Sequence, residues 1–121
     1  MNRIMKSIGF AWKGLRIAFS EQRNLKFHLS AAFAVVAAGF YFEISPVEWM
    51  VIVLTLALVI SIELVNSSIE SLVDLISTQH KPLAGKIKDI AAGAVLVTAF
   101  AAIIIGFLVF HKYIFTLIHG L

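Results

Sequence analysis

Glu63, Asn66, Glu70 and Asp74 share one face of a helix: at about 100° per residue they fall near 0°, 300°, 340° and 20°. The residues around them are otherwise Ile, Leu, Val and Ser. An acid within a membrane helix costs roughly 2.5–3.5 kcal/mol on insertion scales, and such residues face a protein interior or a water-filled cavity. Lys88 and Asp89 form a second polar pair directly before Ala91-Ala92-Gly93-Ala94, small residues that let helix backbones approach closely and could carry the pair against the stripe. Running from the membrane interface towards water, such a stripe could hold a lipid headgroup at one end and a water-borne substrate at the other. Neither GxxxxGK(S/T) nor GxGxxG occurs, so a phosphate site must be built from metal, carboxylate and lysine. The same residues also admit plain structural readings. Glu63 and Asn66 could make interhelical hydrogen bonds, Asp74 a helix-end contact, and Lys88 with Asp89 a membrane anchor and its ion-pair partner.

The chain that must position these residues has 121 of them, 60% apolar and only 14% charged. Its mean hydropathy is +0.96. A soluble domain averages about 25% charged residues, so this composition cannot cover a water-facing surface and describes an all-α membrane protein. Residues 1–121 form one domain, with no room for a separate nucleotide-binding module. The absence of cysteine excludes a disulfide framework, thiol catalysis and cysteine-ligated metal.

Three spans are expected. Ile90 to Phe110 is an uncharged run of 21 residues, enough at about 1.5 Å per residue to cross a hydrocarbon core of about 30 Å. Trp49 to Ile62 continues into a helix-compatible stretch to Ile76, and Leu29 to Phe42 is long enough with Phe27, His28 and Ile44. Glu43-Ile-Ser-Pro46 is the turn between these two, with Pro46 near the first position of the next helix. The expected helices cover 27–45, 47–76 and 88–112. Residues 1–26 lack a continuous apolar core or a cleavage site and are not read as a signal segment. Instead Ile4, Ile8, Ala11, Trp12, Leu15 and Phe19 fall within about 100° of one another opposite Arg3, Lys6, Lys13 and Arg16, which describes an amphipathic helix at the membrane interface.

Nine of the ten Lys and Arg residues precede the first span or lie between the second and third, leaving only Lys112 beyond the last. This places the N-terminus and the Ser77 to Lys88 loop in the cytoplasm, with the C-terminus outside. The net charge of +3 is thus a topology signal, and no basic stripe with interleaved aromatics suggests nucleic acid. With the span starting near Val47, Glu63 lies about 24 Å along the axis, at the cytoplasmic headgroup level, and Glu70 roughly 10 Å nearer water. His28, His111 and His119 read as interfacial residues without a role.

Glu63-Leu-Val-Asn66-Ser-Ser-Ile-Glu70-Ser-Leu-Val-Asp74, followed by His80-Lys-Pro-Leu-Ala-Gly-Lys-Ile-Lys88-Asp89-Ile-Ala-Ala-Gly-Ala-Val95, closely resembles the signature of the small prokaryotic integral-membrane diacylglycerol kinase and undecaprenol kinase family. The resemblance covers nearly the whole chain, including Trp12-Lys-Gly-Leu-Arg16 and the order of the spans. It implies a homotrimeric helical bundle with active sites shared between subunits and MgATP-dependent phosphorylation of a lipid alcohol, either diacylglycerol or undecaprenol. By the same resemblance Glu63 takes the proton from the lipid hydroxyl, Asn66 orients the site, and Glu70 is a Mg2+ ligand. Lys88 and Asp89 contact ATP, with Arg3, Phe10, Gln79, His80 and Lys81 also at the nucleotide, while Arg16 and Ala92 join Glu63 at the lipid. The family's other metal ligand is an acidic residue late in the amphipathic helix. Here the strict register falls on Gln22, with Glu21 beside it, and Glu21 serves only if the helix rotates or the register shifts.

Two other functions remain open on the residues alone. A small ion-coupled transporter could use the acidic stripe as its pathway, although acids running from the interface into the cytoplasm and spans without a repeat fit it poorly. A non-catalytic membrane bundle explains the spans but leaves Glu63, Glu70 and Lys88 uncompensated.

Overall fold

The structure, a computed structural model, describes residues 2–77, 79 and 81–120. Four helices account for nearly all of them: α1 (Arg3–Glu21), α2 (Arg23–Tyr41), α3 (Pro46–Ile76) and α4 (Pro82–His119). No strand occurs among the described residues. Helices α3 and α4 are long and apolar enough to cross a membrane. Of the expected helix 27–45, residues 27–41 lie in α2, which ends at Tyr41 with Phe42 as its C-cap and whose first turns carry Arg23, Lys26 and His28.

The amphipathic helix is shorter than expected from the sequence. It starts on Asn2, whose side chain accepts from the Ile4 N–H, and stops at Glu21. Gln22 is extended (φ −103°, ψ 112°), donates its N–H to Ala18 O and accepts at its own carbonyl from Lys26 N. Residues 23–26 therefore open α2. No Gly or Pro marks the break. Its cause is a change of partner: no α1 residue is buried, leaving Ile8, Trp12 and Phe19 on an open apolar face, whereas α2 turns Leu25, Ala32 and Gly39 inward. One extended residue lets the two apolar stripes face different surroundings.

The turn after α2 is fixed by local chemistry. Ile44 N donates to Gly39 O and Glu43 N to Phe40 O, the two bonds of a Schellman motif, and Glu43 takes the left-handed conformation (φ 52°) that this motif demands. Ser45 then caps α3: its side chain accepts from Glu48 N while the Glu48 carboxylate accepts from Ser45 N, and Pro46 occupies the first turn. Gly39 allows close approach here, because a Cβ would stand 2.6 Å from Trp49 Cη2.

Helix α4 differs most from its expected bounds of 88–112. It begins at Pro82, a favoured first-turn residue, and runs 38 residues to His119, about 57 Å. The link from α3 is thus only residues 77–81, and Lys86, expected in the loop, sits on the helix with Lys88 and Asp89. Helices α3 and α4 make the most extensive pairing. Around Ile44, Ile52, Val109 and Phe110 the two helices and the end of α2 share an apolar core joined by Phe42, Trp49 and Tyr113. Beside it Glu48 accepts from Tyr113 OH and pairs with Lys112 Nζ at 3.0 Å, so Lys112 is neutralised within the bundle. This anchored end lies about 22 Å along α3 from Glu63, leaving the polar stripe at the other end of the bundle.

Candidate active site

The packing stripe of α3 runs Ile52, Leu56, Val59, Glu63, Asn66 and Glu70, alternating steps of four and three, the spacing that keeps one helix face against a neighbour. Glu63 and Asn66 thus occupy positions where a helix pair normally places aliphatic residues. Glu63 is only 2% exposed and Asn66 is buried with it. Three polar contacts follow one another along this stripe. Glu63 Oε2 lies 3.6 Å from His28 Nε2 of α2. Asn66 Nδ2 donates to Glu70 Oε1 at 3.2 Å, one turn on. Lys88 Nζ of α4 donates to Asp74 Oδ1 at 2.5 Å.

The expectation that α4 carries Lys88 to the acidic stripe therefore holds at Asp74. Asp89 and Ala92 are exposed on α4, and Arg3 and Phe10 on α1. Among the described residues no hydrogen bond or ion pair joins these four to the stripe. Gln79 and Lys81 form the tight link between α3 and α4, where the Gln79 carbonyl accepts from Ser77 Oγ and Lys81 N. His80 lies outside the described residues. Glu21 and Gln22 both line a cleft of about 780 Å³ between α1 and α3, opposite Ser67, Ser68 and Ser71. Arg16 is the charged residue on the wall of a separate cavity of about 500 Å³, otherwise lined by Trp12, Leu15, Phe19, Leu25, Leu29 and Ile60.

The donor set suits a hard cation. Among the described residues Asn66 Oδ1 is a buried acceptor without a partner, and the Glu70 carboxylate next to it is engaged only by the Asn66 amide. An amide oxygen and a carboxylate are ligands that Mg2+ accepts, completing its octahedron with water and phosphate oxygens rather than a protein cage. No group of three or more His, Asp or Glu side chains that could enclose a metal occurs among the described residues.

Comparison with known proteins decides what this stripe belongs to. Residues 9–110 match the family model described as prokaryotic diacylglycerol kinase. The chain belongs to the prokaryotic diacylglycerol kinase family. Among its relatives, the undecaprenol kinase of Bacillus subtilis is 46% identical over 91% of this chain and 89% of its own length. The diacylglycerol kinase of Escherichia coli K12 is 30% identical over 84% of each chain. A diacylglycerol kinase of Synechocystis is 39% identical over 85% of this chain and 59% of its own length. The family is one of membrane lipid kinases with a nucleotide phosphate donor, which sets aside the transporter and the non-catalytic bundle.

Sequence reasoning missed His28. Read at face value it is an interfacial histidine. Its signal was the register of α2: Leu25, His28, Ala32, Val35 and Gly39 recur at steps of three and four, so His28 stands in the row that faces α3. The Glu48, Lys112 and Tyr113 cluster was also missed, because its members are about 65 residues apart and meet only when α3 and α4 pair antiparallel.

Proposed function

We propose that this lipid kinase transfers the γ-phosphate of MgATP to the hydroxyl of a membrane lipid alcohol at the cytoplasmic end of α3, with Glu63 as the general base. The observation that carries this reading is a carboxylate buried in the packing stripe of an apolar helix without a full salt bridge. A lipid hydroxyl at the headgroup level gives up its proton to Glu63, its oxygen bonds to the γ-phosphorus, and the bond from that phosphorus to the bridging oxygen of ADP breaks. Glu70 and Asn66 Oδ1 hold Mg2+, with Glu21 or Gln22 from the α1 cleft as a further ligand. Mg2+ bound there neutralises charge on the phosphate oxygens. Lys88, poised on the exposed Asp74, turns to the phosphates, and Asp89, Gln79, His80 and Lys81 surround the nucleotide.

The cavity beneath α1 supports lateral entry of the lipid. It is apolar except for Arg16, and its wall includes Ile60, one turn before Glu63 on α3. A tail in this cavity with its headgroup at Arg16 brings the hydroxyl to the base, and Ala92 contacts the lipid from α4. Of the acceptors named for the relatives we favour undecaprenol, because identity to the undecaprenol kinase is 46% over most of both chains. We further propose that α2 is a third span, that residues 1–121 are a single domain, and that the N-terminus and the α3–α4 link face the cytoplasm of an inner membrane. Among the described residues Arg3, Phe10, Asp89 and Ala92 are exposed and make no hydrogen bond or ion pair with the stripe of their own chain, which favours a homotrimer whose sites are completed between neighbours.

The test is purified protein in detergent with MgATP labelled in the γ-phosphate, given diacylglycerol and undecaprenol in parallel. Label enters undecaprenol faster at equal mole fraction. Faster labelling of diacylglycerol overturns the acceptor, and no labelling of either overturns the substrate class. Mixing two inactive variants, one in Glu63 and one in Asp89, restores activity if sites are shared and leaves none if each chain works alone.

A further inference from the structure

His28 is the basic residue beside Glu63, and its place in the fold suggests a role beyond packing. It stands in the row of α2 that otherwise presents Leu25, Ala32, Val35 and Gly39 to the bundle. Its ring also lines one end of an apolar groove of about 320 Å³ between α2, α3 and α4, with Ala31, Val35, Val59 and Ile103 among the other walls. His28 thus stands among apolar walls with the Glu63 carboxylate 3.6 Å from its Nε2. Among the described residues no hydrogen bond to that carboxylate competes with it. A buried carboxylate without a partner is costly, and a base without a restraint samples rotamers that do not face its substrate.

We infer that His28 is a positioning residue for the base: its Nε2–H holds one oxygen of Glu63, leaving the other to meet the lipid hydroxyl. This inference rests on the reading of Glu63 as the base. A separation of 3.6 Å is just outside hydrogen-bond range, and a small rotation of either side chain closes it. The apolar groove lowers the local dielectric and strengthens the contact once made. The imidazole acts through Glu63 and touches neither substrate nor nucleotide.

The experiment compares His28→Leu, His28→Gln, His28→Asn and Glu63→Gln as purified, assembled protein. Leu keeps volume and removes the donor. Gln places an amide N–H where Nε2 stands, whereas the Asn amide stops near Nδ1. His28→Leu is expected to lower kcat about 10–100-fold with KM for MgATP unchanged, a fraction of what a general base supplies. His28→Gln returns to within about 5-fold of the parent and His28→Asn does not, a pattern set by donor reach. Wild-type kcat in His28→Leu, or equal losses in Gln and Leu, overturns the positioning role. If Leu fails to assemble, Gln against Asn decides: equal activities overturn the inference. Full turnover in Glu63→Gln instead defeats the assignment of the base, a result distinct from any failure of His28, which leaves Glu63→Gln inactive.

Discussion

Exchanging the two members of the Asp74 and Lys88 contact separates structure from chemistry at this site. Their side chains are 66% and 37% exposed, so the ion pair contributes only about 0–1 kcal/mol to stability, at most about a 5-fold change in a folding equilibrium. A lysine that meets transferring phosphate acts on charge that develops in the transition state, where losing one donor costs about 2.7–4 kcal/mol, or 10²–10³ in kcat. Lys88→Met is therefore expected to lose at least 100-fold in transfer of labelled γ-phosphate while its thermal midpoint in detergent barely moves. The double exchange Asp74→Lys with Lys88→Asp restores an ion pair at the same place but moves the cation from α4 to α3. It should melt like the parent and remain as inactive as Lys88→Met. If the exchange recovers activity to within a few-fold, Lys88 serves only to tie α4 to α3, and its contact with nucleotide is refuted.

Three further outcomes follow from the geometry. Gly39→Ala sets a methyl 2.6 Å from Trp49 Cη2; overpacking of about 1–3 kcal/mol exceeds the helix-propensity gain of up to about 1 kcal/mol, so the thermal midpoint falls. Glu43→Gly relieves a left-handed residue at the end of α2 and should raise the midpoint by a stabilisation of about 1 kcal/mol, read by thermal unfolding in the same detergent. Glu70→Gln should raise the Mg2+ concentration needed for half-maximal activity at least about 10-fold, with recovery at high Mg2+, whereas an unchanged Mg2+ profile removes Glu70 from the metal site.

What could be read from the sequence was whatever one helix carries by itself. The angular agreement of Glu63, Asn66, Glu70 and Asp74 needs only the helical period, and Pro46 and the Ser45 cap announce the start of α3. The start of α4 was also written locally, in Pro82, yet the expected helix opens only at Lys88 because the stretch before it, with Lys81 and Lys86, is polar. A helix that has left the bilayer has no reason to be apolar. The break at Gln22 has no Gly or Pro and arises from two stripes that need different neighbours. His28 opposite Glu63, Lys88 on Asp74 and Tyr113 on Glu48 are each created by helix pairing, so no single segment displays them. The acidic stripe marks the candidate site from one helix alone, and the neighbouring helices decide how each acid is held.

Glu63 as the base for a lipid hydroxyl is the role on which the proposed function depends. Single-turnover transfer of labelled γ-phosphate to undecaprenol, comparing the parent protein with Glu63→Gln at saturating MgATP, tests it most directly. The substitution keeps size and hydrogen bonding, so the variant should assemble and bind MgATP like the parent. Its transfer rate should fall by about 10²–10⁴, the range of general-base catalysis. A variant that transfers phosphate within a few-fold of the parent rate contradicts the account.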